Sequence, residues 1–217
     1  PDGEHWWVTL NNLTPQDIYL FQYLVDGELR IPDPYADTFY DPAYDDEISV
    51  DLFPDLQIYP PEATRGIASY LQTDQSEFEW TATDYQRPDP ENLVIYELLV
   101  RDFVEDHNYQ TLIDTLGYFK KLGINAIELM PINEFDGNSS WGYNPAFYFA
   151  PDKYYGSKTD LKRFIDACHQ HGIAVILDMV LNHSSGNHSL AQLYWDAAEN
   201  RPSAQNPWYN PQTPEGQ

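Results

Sequence analysis

Three groups of polar residues stand at the ends of apolar runs, and chemistry could sit there: Arg101-Asp102, the stretch from Glu134 to Asn144, and Asp178-Met-Val-Leu-Asn-His183. The middle group is the densest and reads Glu134-Phe-Asp-Gly-Asn-Ser-Ser-Trp-Gly-Tyr-Asn-Pro145. Trp141 and Tyr143 flank Gly142 in a loop with no apolar periodicity. Rings held out by a rigid loop can stack on the apolar face of a sugar while Asn and Asp bond its hydroxyls. The other reading of these rings is that both bury themselves beneath the loop. Asp178 either faces a site or merely satisfies backbone donors at the end of a buried strand. Arg101-Asp102 reads as a buried structural pair under the rim rather than a catalytic one. His183 and His188 have no Cys or acidic partner at zinc-like spacing. His169 and His171 fall in the last turn of a helix, where a cationic imidazole suits the dipole.

These groups need elements to present them. Leu93 to Val100, Ile124 to Met130 and Gly172 to Leu177 are apolar runs suited to strands buried on both faces. Between them lie two helical patterns. The first runs from Thr111 to Leu122, with Leu112, Leu116 and Phe119 on one face and Gly123 as a stop. The second starts at Ser157, with Asp160 as a capping-box acid and Leu161, Phe164, Ile165 and Cys168 as its apolar stripe. Strand, helix, strand, helix, strand with long loops only after the strands is the layout of a (β/α)8 barrel, whose active site lies at the strand C-termini. An open doubly wound sheet is the runner-up, but no glycine-rich phosphate turn follows the first strand.

Upstream, His5 to Leu10 and Ile18 to Val25 read as strands, and Asp26-Gly27 as a hairpin turn into Glu28 to Ile31. The expected organisation is residues 1–45 as trailing strands of a β-sandwich domain, 46–91 as an irregular linker with Phe78 to Trp80 as a short strand, and 92–217 as three βα units. A helix over 190–197 begins the insertion after the third strand. A whole barrel takes about 250 residues, so 92–217 makes it unfinished.

The formal charge of -24 would repel duplex nucleic acid or an anionic membrane, and leaves neutral ligands such as sugars open. It equally suits a solvated surface. One cysteine, Cys168, excludes a disulfide within the chain and falls on an apolar helix face. No apolar run reaches the length of a membrane span.

Taken together, the motifs resemble the α-amylase family, glycoside hydrolase family 13. Asp178-Met-Val-Leu-Asn-His183 matches its Asp-x-Val-x-Asn-His block after the third strand. Trp141-Gly-Tyr-Asn-Pro145 and Tyr154-Tyr-Gly156 match the loop after the second, and Leu122 to Pro131 the second strand itself. The Trp-Gly-Tyr-Asn-Pro form looks most like branching enzymes, pullulanases and isoamylases, which often carry a β-sandwich before the barrel. The resemblance implies retaining chemistry on α-glucans such as starch, glycogen or maltodextrin, with one carboxylate as nucleophile and another as acid-base. In the family those carboxylates follow strands four, five and seven. None is assigned here, and the chain alone is expected to be inactive. A non-catalytic α-glucan-binding protein of the same fold is the alternative.

The resemblance further implies that Tyr143 stacks on the sugar and His183 bonds one of its hydroxyls, with Trp141 and Asn144 beside them. Asp178 resembles an acid that orients a neighbouring arginine. Asn182 resembles an asparagine that ligates a structural calcium in many members; no other cofactor is implied.

Overall fold

The structure, a computed structural model, describes residue 3 and residues 5–212. The first apolar run gives two strands rather than one, β1 (Ile18–Phe21) and β2 (Tyr23–Val25). They part at Gln22, whose side-chain amide donates to the carbonyls of Arg65 and Ile67, both at 2.7 Å. Asp26 and Gly27 take positive φ, 52° and 78°, and turn β2 back onto β3 (Leu29–Ile31) as an antiparallel hairpin. β4 (Phe39–Tyr40) and β5 (Ala68–Gln72) join β1 in a second antiparallel sheet, ordered β1-β5-β4.

Two expectations change here. β5 lies inside the stretch read as irregular, and its pairing with β1 crosses the residue-45 boundary. Its Ala-Ser-Tyr-Leu-Gln sequence has no β-branched residue, so the strand owes its existence to its partner rather than to propensity. Conversely, neither His5 to Leu10 nor Phe78 to Trp80 is a strand. Trp6 and Val8 are 86% and 78% exposed, and no strand among the described residues pairs with them.

The second half follows the predicted order. β6 (Ile95–Leu98) is followed by α1 (Val100–Phe103), α2 (Tyr109–Asp114) and α3 (Leu116–Leu122), then by β7 (Ala126–Leu129). The expected first helix is thus split at Thr115, whose hydroxyl donates back to the Leu112 carbonyl at 2.7 Å. Leu112, Leu116 and Phe119 are buried as the spacing requires, and Gly123 closes α3 in the left-handed conformation. α4 (Lys158–Gln170) carries the full Ser157–Asp160 capping box and buries Leu161, Phe164 and Cys168, with Ile165 partly buried. It leads into β8 (Ala174–Leu177).

β6, β7 and β8 pair in parallel, and their register sets Leu98, Leu129 and Leu177 abreast. All three strands therefore leave the sheet at one level. The expectation of burial on both faces fails at β8, where Leu177 is 42% exposed. β8 is an edge, and among the described residues no strand lies beyond it. Past it, α5 (Ser189–Gln192) is shorter than the helix expected over 190–197, and a hairpin of β9 (Trp195–Asp196) and β10 (Arg201–Pro202) follows. The last expected residues, 213–217, lie outside the described ones.

The two halves are joined by charge and by aromatic packing. Phe39 stacks on Phe147 with ring centroids 3.7 Å apart. The Lys153 ammonium is buried, bonded to Glu134 and 3.4 Å from Asp45, which comes from the first half. Lys153→Met should strand those carboxylates and cost about 3–5 kcal/mol of unfolding free energy at neutral pH. Urea denaturation measures it; the loss should shrink in acid, where the carboxyls take up protons.

Candidate active-site shelf

The level sheet edge decides what meets what. The long loop after β7, residues 131–156, folds back over the ends of β7 and β8. Asp178 directly follows β8, and its backbone N–H donates to the Leu129 carbonyl at 3.0 Å. The Tyr143 hydroxyl donates to Asp178 Oδ2 at 2.6 Å. His183 Nε2–H donates to the Tyr143 carbonyl at 2.7 Å, which leaves Nδ1 as the acceptor in the neutral ring. Tyr148, from the same loop, donates its hydroxyl to the His183 carbonyl at 2.9 Å. Ser185 N–H and the Pro145 carbonyl add a backbone bond of 2.8 Å. Tyr143, Asp178 and His183, named from sequence motifs, therefore form one connected unit.

Tyr143 remains 40% exposed and Trp141 60%, so neither ring buries itself under the loop. The phenol is pushed up to about 12, first by its bond to Asp178, then by burial and by the charges of Asp178, Glu97 and Glu128. It is a neutral donor at any physiological pH. Its backbone is fixed by Gly142, which sits at φ +86° against the start of the loop. A Cβ there would lie 2.0 Å from the Pro131 carbonyl oxygen, so only glycine fits.

Other expected residues fall differently. Asn144 uses its side-chain oxygen on Ser140 and donates its amide N–H to the Asp136 carbonyl at 3.3 Å, which makes it a clamp within the loop. Arg101 and Asp102 do pair, at 2.7 Å, but the Asp102 side chain is 59% exposed, so the expected burial is wrong. The short α1 turns the pair outward at the rim. Asn182 is exposed. Among the described residues no three His, Cys, Asp or Glu side chains gather where they could hold a metal. Calcium takes about six to eight oxygens, of which Asn182 offers one neutral one. His171 Nδ1 lies 2.8 Å from the Ala167 carbonyl, a cap as expected. His169 instead stacks on Tyr85 at 3.9 Å, and burial lowers its pKa, contrary to a cationic cap.

Two residues escaped the sequence reading, and a third has another role. Glu97 and Glu128 are paired across β6 and β7 and raise the Tyr143 phenol by their charge. They sit on the sheet face opposite Leu98 and Leu129; strict two-residue alternation within the runs would have exposed them. Glu134 was noted only as a carboxylate near the rim. It is buried against Lys153, and burial pushes its carboxyl up while the lysine opposes the shift, so it holds the loop rather than facing the shelf. Its lysine partner lies nineteen residues on in sequence, too far for any local spacing rule.

Residues 62–217 match the alpha amylase catalytic domain. The chain belongs to the α-amylase family. It is 31% identical over 182 residues to the malto-oligosyltrehalose trehalohydrolase of Saccharolobus solfataricus, covering 84% of this chain and 28% of that protein. It is 40% identical over 153 residues to the 1,4-alpha-glucan branching enzyme of Pseudomonas fluorescens, covering 61% and 20%. A Salmonella typhimurium crystal structure assigned as an alpha amylase superposes with a TM-score of 0.64 at 28% identity, over 88% of this chain and 29% of that one. The chain thus spans under a third of the length of the proteins it resembles. Among the described residues of this α-amylase-family chain, three parallel strands pair in an open sheet.

Two measurements probe the shelf's supports. Gly142→Ala should displace the loop; near-ultraviolet circular dichroism should show lost Tyr and Trp order while the far-ultraviolet spectrum holds. His188 sits under Tyr148, 1% exposed, and burial lowers it from 6.5 to about 4. The folded chain then binds fewer protons than the unfolded one across that window, so stability falls as pH drops through it. His188→Gln should flatten the decline in melting temperature between about pH 6.5 and 4.

Proposed function

We propose that this chain supplies the glucose-holding side of an enzyme that hydrolyses or transfers α-glucosidic bonds. One observation carries the reading. In an α-amylase-family chain, Tyr143 and His183 are hydrogen-bonded to one another beside Asp178, at the C-terminal end of a parallel sheet. The exposed Tyr143 ring offers a flat face to a pyranose, and Trp141, two residues before it, is also exposed. His183, with Nε2 committed to the Tyr143 carbonyl, presents Nδ1 to accept a sugar hydroxyl. Asp178 fixes the Tyr143 hydroxyl and so sets the ring's angle.

Bond cleavage would use two carboxylates, a nucleophile and an acid-base, as retaining glycosidases do. Neither Glu134, which is buried in an ion pair, nor Asp178, which is bonded to Tyr143, is free for those roles. The family places them after later strands, and this chain alone is expected to be inactive. Asn182 keeps its family association with calcium if further oxygens complete the shell. The trehalohydrolase similarity makes a malto-oligosaccharide ending in trehalose the first substrate to try.

The test is activity of the full-length protein on malto-oligosyltrehalose, maltodextrin, starch and pullulan, read as released trehalose or reducing ends. Tyr143→Ala and His183→Ala should each lower kcat/KM about tenfold or more, equivalent to about 1.4 kcal/mol of transition-state stabilisation. A folded full-length protein inactive on every α-glucan would defeat the reading.

A further inference from the structure

A second aromatic feature lies outside the shelf. Tyr35, from the first half, and Phe149, from the loop after β7, stack with centroids 5.4 Å apart and 29° between planes. Both are wet, at 71% and 57% exposure. Each is nevertheless rigidly mounted. Tyr35 N–H donates to Asp33 Oδ1 at 2.9 Å, and Asp33 Oδ2 accepts the Tyr23 hydroxyl at 3.1 Å. Phe149 is held between Phe147, stacked on buried Phe39, and Ala150, whose carbonyl accepts the Glu134 N–H at 2.8 Å.

Two large rings brought together from distant segments and left in water gain little from each other alone. Held still, they make a flat apolar platform whose ordering cost is already met by the fold. The Tyr35 hydroxyl makes no hydrogen bond to any described residue and stands at the platform's margin as a spare donor. The location matters as much. Phe149 follows Tyr148, whose hydroxyl holds the His183 carbonyl, so the platform is one tyrosine side chain and one peptide step from the shelf. The net charge of -24 favours a neutral occupant over an anionic one.

We propose that the Tyr35–Phe149 stack is a further α-glucan contact. It takes a distal glucose unit of a chain whose end lies on the Tyr143–His183 shelf. This rests on the α-glucan reading above and adds chain-length preference to it. Nothing about Tyr143 or His183 requires it.

The test uses the full-length protein and two uncleavable probes, thio-linked maltose and thio-linked maltoheptaose, titrated calorimetrically. Tyr35→Ala and Phe149→Ala should weaken maltoheptaose binding about three- to tenfold and leave maltose binding unchanged. Phe149→Tyr, which keeps a ring, should restore it. Unchanged maltoheptaose affinity in both alanine variants would overturn the proposal, as would equal losses for both probes, which mark a structural tie. A fall in melting temperature with binding intact would show that another part of the protein covers the rings, and would also overturn it. If the unsubstituted protein binds neither probe, the α-glucan reading fails first.

Discussion

The shelf depends on one buried ammonium. Lys153 is 2% exposed and lies among Glu134, Asp45 and Asp152. Three carboxylates around one cation leave an excess of negative charge in a place that solvates charge poorly. Burial therefore raises Glu134 and Asp152, while the surrounding acids outweigh burial and raise Lys153. Glu134 Oε2 has no hydrogen-bond partner among the described residues. Such a cluster adds little net stability relative to apolar packing, but its directionality selects one arrangement of a loop that has almost no regular structure. Glu134 and Lys153 bracket the segment carrying Trp141 and Tyr143, and Asp45 attaches that bracket to the first half of the chain.

Given that bracket, the shelf's precision comes from backbone groups rather than from side-chain pairs alone. His183 and Tyr148 each bond a carbonyl of the opposite loop, and Ser185 adds a main-chain bond. A carbonyl moves only when the chain moves. Tyr143 is thus fixed at both its ends, through its carbonyl by His183 and through its hydroxyl by Asp178. Gly142 makes this possible, since the chain passes against Pro131 at a distance that admits no side chain. The equal level at which β6, β7 and β8 end is the precondition for all of it.

Local order was legible where it is set by neighbours in sequence. The Ser157–Asp160 capping box, the Gly123 stop, the Asp26-Gly27 hairpin and the Leu112–Leu116–Phe119 stripe all stand as read. Readings that depend on a distant partner did less well. His5 to Leu10 has strand composition but forms no strand among the described residues, whereas β5 lacks strand composition and pairs with β1. The helix over 111–122 was read as continuous because its apolar spacing is, but the Thr115 hydroxyl breaks it. Burial of Arg101-Asp102 and cationic character for His169 were inferred from position along an element, while the rim and the Tyr85 ring decided otherwise.

The sequence by itself determined the family, the order of strands and helices, and the candidate residues 143, 178 and 183, because motif spacing and hydrophobic period are one-dimensional. Only tertiary structure decided that Tyr143 and His183 bond each other, that Glu134 belongs to a buried lysine, that Asn144 serves its own loop, and that Tyr35 meets Phe149. Each of these joins segments far apart along the chain. No period or local propensity reports such a contact; it arises when burial brings polar groups together and obliges them to find partners.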